Sequence, residues 1–346
     1  MDLEDLIKKI GIKPSTKRNE ALDIYIKNSQ NKARLEILLS EFLRITSGKT
    51  APDLKRSGGV ENYYNYIYNN INNFDFNIFD VNQLTSNVQP YIKDDPSNNS
   101  NFGLFLSTFI NKNIKRDEKI QIITSIPIHG LFYKLKNPEA HINIAGNFLG
   151  YDAENSKIYA EEAGDFAGSY MRDGELHVKK AGDWLGSDAN NSKIYAEEAG
   201  YGAGYNIQNC ELHVKKAGKL LGYDAKNSKI YTDEVEDYAG YNIQNCELHV
   251  KKADEELGRD AKNSKIYAGE AGINAGYNME NSELFIYKLD ENLADSCFEG
   301  NNEIYLGEES YKKFIQNYPK YINKIKLWEK QKQIADVCLG GSCGPK

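Results

Sequence analysis

Three histidines recur at a fixed interval in this chain of 346 residues, and histidine is the side chain most often used for proton transfer and metal binding. His177, His213 and His249 stand 36 residues apart, and tyrosines alternate with them. Side chains two coils apart in a stacked repeat are separated by about 10 Å, whereas zinc holds its histidine nitrogens at about 2.1 Å. The interval therefore favours an aromatic ladder facing solvent, and the sequence predicts no metal and no cofactor.

Cysteines are the second set of residues that could do chemistry. Cys210 and Cys246 also stand 36 residues apart, and about 10 Å exceeds the Cα separation of about 7 Å that a disulfide tolerates. We interpret both as turn residues that replace serine. Cys338 and Cys343 could bind a metal or form a redox pair, but the lack of further ligands close by in the sequence favours a free tail.

Carboxylates are plentiful enough to suggest a glycosidase or a lyase, which needs two acids whose pKa values are pushed apart. Nearly every carboxylate of the repeat instead has a lysine one coil away. A hexapeptide acyltransferase requires an aliphatic residue at every sixth position, but Asn227 stands six residues after Leu221. We predict no catalytic residue, lean towards a protein that is not an enzyme, and keep a carbohydrate-active β-helix enzyme as a third hypothesis.

The segments that position these residues repeat from about Ala140 to Leu293. A glycine recurs every 18 residues without an insertion, and a turn residue, nearly always asparagine, keeps the same interval. Such a unit suits one coil of a β-solenoid, because glycine permits a positive φ at a corner and asparagine tolerates it. The repeat glycines are Gly150, Gly168, Gly186, Gly204, Gly222, Gly240, Gly258 and Gly276.

Each coil is predicted to hold a short strand such as Leu176-His177-Val178, with the aliphatic residues inward and the histidine outward. Lysine and glutamate alternate from coil to coil, beginning with Lys157 and Glu175, so the full period is 36 residues. Opposite charges on neighbouring strands contribute about 0.2–1 kcal/mol per pair. A slip by one coil would bring like charges together, so the alternation is expected to set the register.

We therefore predict an α+β fold with a helical N-terminal domain, a β-solenoid of about nine coils and a C-terminal helical cap. The composition of Pro96–Ser100 indicates a loop. Apolar spacing predicts helices at Leu104–Ile114, Lys119–Ile126 and Glu308–Val337, the last kinked or split at Pro319. The domain boundaries that follow are 1–136 for the helical domain, 137–293 for the solenoid, 294–337 for the cap and 338–346 for a flexible tail.

Two units of the repeat resemble a known domain. The segments Ala163-Gly164-Asp165-Phe166-Ala167-Gly168 and Ala181-Gly182-Asp183-Trp184-Leu185-Gly186 are similar to the glycine-motif (GXGXG-type) β-helix that glutamate synthase large subunits carry at the C-terminus, and that formylmethanofuran dehydrogenase carries in one of its subunits. The resemblance covers residues 140–293. It implies a right-handed β-helix that carries no catalytic residue and holds other domains or subunits together.

Composition narrows the range of partners. The formal net charge is −7, which argues against binding to nucleic acid, because that needs a positive field along the phosphates. No apolar run approaches the roughly 20 residues that span a bilayer. The N-terminus lacks the apolar core of a signal peptide, and five scattered cysteines suit a reducing compartment. We expect a cytoplasmic protein that binds neither membranes nor nucleic acid.

One column of the repeat suggests an interaction surface. Phe148, Phe166 and Trp184 occupy equivalent positions in three consecutive coils, and the position turns polar later in the repeat. Rings of that size are expected to be covered, either by a helix from 104–136 or 308–335 or by a partner. The sequence thus predicts a non-enzymatic scaffold that binds a protein partner or itself. The alternative is a structural subunit or domain of a multi-subunit oxidoreductase.

Overall fold

A computed structural model of the chain describes residues 29–49, 57–72, 78–92, 94–113, 118–290 and 292–328. The chain divides into two compact units, Met1–Gly164 and Asp165–Lys346. Both wind as a parallel β-solenoid, and helices precede the first coil, so the predicted fold class is confirmed in outline. The predicted tail at 338–346, with Cys338 and Cys343, lies outside the described residues.

Helices with an aromatic core open the first unit, and three parallel strands follow. The Phe42 ring packs edge-on against Phe102 and Phe105, with ring centroids 5.5 and 5.3 Å apart. The described elements are α1 (Ser29–Thr46), α2 (Ser57–Asn70), α3 (Ile78–Ile92), α4 (Pro96–Asn113), β1 (Ile120–Ile122), β2 (Glu139–Ile144) and β3 (Lys157–Ala163).

Helix α4 begins at Pro96, so the prediction of a loop over Pro96–Ser100 is wrong. The Asp95 carboxylate accepts a hydrogen bond from the backbone N–H of Asn98 at 3.0 Å, which satisfies one donor of the first helical turn. Proline fits that turn because no N–H is needed there. A cap and a buried face therefore override a composition that favours turns.

Strand β1 lies where the sequence predicts the helix Lys119–Ile126, and that prediction is also wrong. Ile120 and Ile122 are buried and Gln121 between them is exposed, which is the alternation of a strand. The isoleucines of this segment fit both a helical and an alternating period. Pairing with β2 decides between the two periods.

Polar side chains of α3 and α4 hydrogen-bond to the backbone of the first coil. Asn82 donates to the carbonyl of Gln121 at 2.7 Å, and Asn99 donates to the carbonyl of Pro127 at 2.9 Å. A first coil has no preceding strand to satisfy its backbone, and these side chains take that role. We call the set the N-terminal cap; its members are Asn82, Gln89, Asn99, Ser107 and Asn111.

Asn111 makes the largest number of these bonds. Its amide nitrogen lies 3.2 Å from the carbonyl oxygen of Tyr133, 3.1 Å from that of Lys134 and 2.7 Å from the Tyr64 hydroxyl. Its carbonyl oxygen accepts the backbone N–H of Lys136 at 3.3 Å. One side chain thus serves three backbone groups of the first coil.

The described part of the second unit contains nine parallel strands, each paired with the next along the chain. From β4 to β10 the paired residues are 18 apart, as Glu175 and Lys193 are. The elements are β4 (Glu175–Ala181), β5 (Lys193–Ala199), β6 (Glu211–Ala217), β7 (Lys229–Val235), β8 (Glu247–Ala253), β9 (Lys265–Ala271), β10 (Glu283–Leu289), a 3₁₀ helix (Asp295–Phe298), β11 (Glu303–Leu306), α5 (Glu308–Asn317), a second 3₁₀ helix (Pro319–Lys324) and β12 (Ile325–Leu327).

The structure of these coils explains why glycine and asparagine each recur every 18 residues in the sequence. Leu212 of β6 and Ile230 of β7 point inward and are fully buried. Gly222 has a φ of +69°, and a Cβ atom there would lie 2.4 Å from Cδ1 of Ile230. Asn227 turns the next corner with a φ of +50°. Glycine is thus favoured both by the backbone and by the buried Ile230 side chain, whereas asparagine is favoured by the backbone alone.

The number of coils differs from the prediction. Among the described residues, twelve strands form about twelve coils, three in the first unit and nine in the second, rather than nine in all. The additional coils escape an 18-residue period because residues are inserted in them. Ile120 pairs with Ala140, Glu283 with Glu303, and Ile304 with Ile325.

The C-terminal region is only partly helical. Helix α5 ends at Asn317. The prediction of a helix over Glu308–Val337 is therefore wrong for residues 318–328, the last that the structure describes. Pro319 accounts for the end, because proline disfavours the helical conformation of the residue before it and cannot donate to the helix. The chain continues as a 3₁₀ helix and then as β12, which pairs with β11.

Candidate binding surface

The recurring histidines lie in a continuous stack of rings on the outer face of the strands. Centroids of His177 and Tyr195 are 4.5 Å apart, and those of Tyr195 and His213 are 5.0 Å apart. Among the residues that the structure describes, no group of three or more His, Cys, Asp or Glu side chains is placed to hold a metal ion. The rings of the second unit stack in the order His177, Tyr195, His213, Tyr231, His249, Tyr267, Phe285 and Tyr305.

Each histidine of this ladder is also fixed by a glutamate of its own strand. Nε2 of His213 lies 2.7 Å from Oε1 of Glu211, and Nε2 of His249 lies 2.6 Å from Oε1 of Glu247. A ring held on both faces and at its nitrogen is oriented firmly. The imidazoles therefore hold neighbouring coils in alignment.

His249 is the most buried ring of the ladder. Burial lowers the pKa of its imidazole, against the opposing effect of Glu247. An unfolded histidine takes up its proton near pH 6.5, so the folded state loses stability as the pH falls below that value, by up to about 1.4 kcal/mol per pH unit.

We expect His249→Phe to reduce the loss of stability between pH 7 and pH 5, measured by urea unfolding at both pH values. Phenylalanine keeps a stacked ring and cannot be protonated. His213→Phe is the matched control. An unchanged pH dependence in His249→Phe would contradict the assignment.

The buried cysteines line turns, as the sequence predicts. The Cys210 backbone N–H donates to Oγ of Ser228 at 3.1 Å, and its thiol lies 3.4 Å from the carbonyl of Ala189. Cys246 makes the equivalent contacts. Burial raises the pKa of both thiols, which keeps them protonated and unreactive.

Charged side chains pair between neighbouring coils on the strand side. Nζ of Lys251 lies 2.7 Å from Asp233, and Nζ of Lys215 lies 3.4 Å from Glu197.

A row of hydrogen-bonded aspartate and asparagine side chains, missed in the sequence, runs along the turns. In this row Asn206 donates to Asp188 at 2.6 Å. Its sequence signal is the alternation of Asp and Asn through Asp188, Asn206, Asp224, Asn242, Asp260 and Asn278.

The predicted docking column is divided between the two units. Phe148, in the first unit, is buried with its ring centroid 5.6 Å from that of Tyr151. Phe166 and Trp184, in the second unit, are half-buried and stack with centroids 6.3 Å apart. All three residues have a positive φ of 60–65°, which is uncommon for large side chains and requires support from their surroundings.

The support for Trp184 comes from neighbouring coils of its own unit. Its indole meets Tyr201 and Tyr205 edge-on, at centroid distances of 5.0 and 5.3 Å. A Cβ atom on Gly202 would lie 2.7 Å from the indole, so glycine leaves the space that the ring occupies. The column therefore becomes glycine one coil later for a packing reason.

A second row of rings, missed in the sequence, continues from Trp184 along the turns. Tyr205 and Tyr223 stack at 5.2 Å, and Tyr241 meets Tyr223 edge-on at 4.8 Å. The sequence signal is a tyrosine directly after the second glycine of the turn. We call Trp184, Tyr201, Tyr205, Tyr223 and Tyr241 the aromatic turn surface.

Comparisons with known proteins find no relative of this chain. No protein-family model matches the chain, and neither the curated proteins nor the solved structures contain a match to it. Within the described ranges, no helix combines the length and apolar character needed to cross a bilayer.

Proposed function

We propose that this chain is a non-enzymatic scaffold that holds a protein partner on the turns of its solenoid. The observation that carries the proposal is that side chains able to do chemistry are engaged in contacts within the solenoid itself. Histidines of the ladder are stacked and bound to glutamates, and the lysines and carboxylates of the strand side are paired between coils. Such side chains align a rigid support, whereas a catalytic group must be available to a substrate.

The aromatic turn surface supports the choice of the turns as the binding side. Tyr201 remains 39% exposed although its neighbours are large rings, and Trp184 is half-buried on a backbone of positive φ. Aromatic rings are enriched where proteins bind each other, because they bury a large area with few rotatable bonds. Phe166 extends the same row by one coil.

The cytoplasm is the proposed location. Cys210, Cys246 and Cys297 are buried free thiols, which suits a reducing compartment. We also propose kinship with the glycine-motif β-helix domains, supported by parallel coils whose corners favour glycine. In those families the β-helix holds other domains or subunits together.

The test uses Trp184→Ala in the full chain. A protein retained in one-to-one ratio from a native extract is identified, purified and titrated against the purified chain. We expect Trp184→Ala to weaken this binding by more than tenfold, because a central aromatic side chain contributes about 2 kcal/mol or more to an interface.

Tyr195→Ala, which removes a ring from the strand side, is the matched control and should bind normally. Circular dichroism at the binding temperature establishes that both variants are folded. Equal binding by Trp184→Ala and the unaltered chain, or the failure of any protein to be retained in a fixed ratio, would contradict the proposed function.

A further inference from the structure

The strand face of the second unit carries opposite charges on the two sides of its ladder of rings. In β6, Glu211 stands two residues before the ring of His213 and Lys215 two residues after it. In β7 the order is reversed, with Lys229 before the ring and Asp233 after it. The charges before the rings form the leading column and those after the rings form the trailing column. The leading column is Glu175, Lys193, Glu211, Lys229 and Glu247, and the trailing column is Lys179, Glu197, Lys215, Asp233 and Lys251.

Ion pairs within one chain do not account for this opposition. They join neighbouring coils along one column, as Lys215 joins Glu197 at 3.4 Å and Lys251 joins Asp233 at 2.7 Å. The two columns are four residues apart on each strand, which is about 13 Å and exceeds the Debye length of about 8 Å at physiological salt. Strands with the same charge on both sides of the ring would alternate equally well along each column. The register of a single chain therefore does not require the opposite signs.

The opposite signs make the strand face complementary to itself. A two-fold axis parallel to the stack of strands places each strand opposite the same strand of a second copy, with the two strands running in opposite directions. The leading column of one copy then faces the trailing column of the other, so lysine meets a carboxylate on both sides of the rings in every coil from β4 to β8. A shift by one coil would bring like charges together. Such a two-fold contact closes as a dimer.

The ladder of rings lies along the axis of this arrangement. Most of its rings are half-buried in one chain, and the side chains of His177 and His213 remain 24% and 25% exposed. A second copy would cover this row of rings along its length. The contact would then have an aromatic centre and a charged rim, which is the usual division of a protein interface.

The strand face is large enough for a stable dimer. Seven strands, β4–β10, have seven residues each. At about 4.8 Å between strands and about 3.3 Å per residue, the face measures about 34 Å by 23 Å, close to the 800 Å² that each partner buries in a standard interface. Charges oppose each other through β4–β8, because the trailing position becomes Gly269 in β9 and Tyr287 in β10.

We propose that the strand face of β4–β10 binds a second copy of this chain about this two-fold axis, with the two ladders in contact and the leading column of each copy opposite the trailing column of the other. The inference goes beyond the proposed scaffold function, because it assigns the strand side and leaves the turns to the partner. Charges at an interface determine the choice of partner and the register more than the affinity. The dimer should therefore weaken at high salt.

The test measures sedimentation velocity of the full chain over a range of micromolar concentrations. The variant K179E/E197K/K215E/D233K/K251E reverses the trailing column, so lysine and carboxylate still alternate from coil to coil, but like charges face each other across the two-fold axis. We expect the unaltered chain to form dimers and no larger species, and the variant to associate at least about tenfold more weakly. A chain that stays monomeric throughout, or a variant that dimerises as tightly as the unaltered chain, would overturn the proposal.

The matched control is K179R/E197D/K215R/D233E/K251R, which changes the same five side chains and keeps every charge. It should dimerise as the unaltered chain does, and circular dichroism establishes that both variants are folded. Trp184→Ala should also leave dimerisation unchanged, because Trp184 lies on the turns. Loss of the dimer and loss of the partner on the turns are thus separate results, so either proposal can fail while the other stands.

A second measurement tests the arrangement without changing a charge. The two-fold axis places Tyr231 of one copy opposite Tyr231 of the other, with the sheets about 10 Å apart. In a chain with Cys338→Ser and Cys343→Ser, whose remaining cysteines are buried, Tyr231→Cys should be joined into covalent dimers by a bismaleimide that spans about 10 Å. Tyr223→Cys on the turns is the matched control and should stay unlinked. Equal linking of the two variants, or no linking of Tyr231→Cys where dimers sediment, would contradict the arrangement.

Discussion

Replacement of Asn111 by leucine is expected to lower the free energy of unfolding by about 3 kcal/mol. The amide of Asn111 serves the carbonyl oxygens of Tyr133 and Lys134 and the N–H of Lys136. Leucine has a similar volume, so the main effect is the loss of hydrogen bonds to three backbone groups in a partly buried site. Urea unfolding at neutral pH measures the change.

Asn70→Leu is the matched control, since the amide of Asn70 is exposed and bonds to the Tyr66 carbonyl of its own helix. Its effect should stay within about 0.5 kcal/mol. The first coil of Asn111→Leu should also present its backbone to other molecules, because unpaired strand edges associate. A change in stability below about 1 kcal/mol together with a monodisperse monomer at high concentration would mean that the N-terminal cap does not protect the first coil.

Reversal of the four lysines Lys215, Lys216, Lys251 and Lys252 to glutamate is expected to cost about 4 kcal/mol at low salt. Lys215 and Lys251 are paired with Glu197 and Asp233 of neighbouring coils, and Lys216 and Lys252 pair in register with Glu234. The variant replaces each attraction by a repulsion between adjacent coils. Since these groups are partly exposed, salt should restore much of the loss.

Changing the same lysines to glutamine separates the lost attraction from the new repulsion, and we expect a smaller cost with a weaker dependence on salt. Exchange of the facing acids Glu197, Glu198, Asp233 and Glu234 for lysine in the reversed variant should recover most of the stability. Thermal unfolding at low and high salt distinguishes these cases. If the four-fold reversal left the melting temperature unchanged at low salt, the charges would not contribute to register.

The repeat made most of the solenoid predictable from sequence. Inward residues such as Leu212 and Ile230 alternate with outward rings, and glycine recurs at positions such as Gly222 because both its φ and its contact with Ile230 disfavour a side chain. Local requirements of this kind recur in every coil, so they appear as a period. The outward ladder of histidine and tyrosine follows from the same alternation.

The flanking structure could not be predicted in this way, because it depends on contacts with residues distant in the sequence. Strand β1 exists through its pairing with β2, although its isoleucines also fit a helix. Helix α4 depends on the Asp95 cap and on burial of its face. The aromatic turn surface was missed because Ser187 and Arg259 interrupt the column of tyrosines in the sequence. Only the fold brings these rings together with Trp184.

Alternation of two kinds of coil limits how such a chain can change its length in evolution. Loss of the single coil 211–228 would set Lys193 beside Lys229 and Tyr195 beside Tyr231, which removes the ion pairs and the glutamate-bound histidine between them. Loss or duplication of two coils preserves the alternation of lysine with glutamate and of tyrosine with histidine. Viable relatives are therefore expected to differ by multiples of 36 residues, so that insertions and deletions inherited within the solenoid occur in pairs of coils.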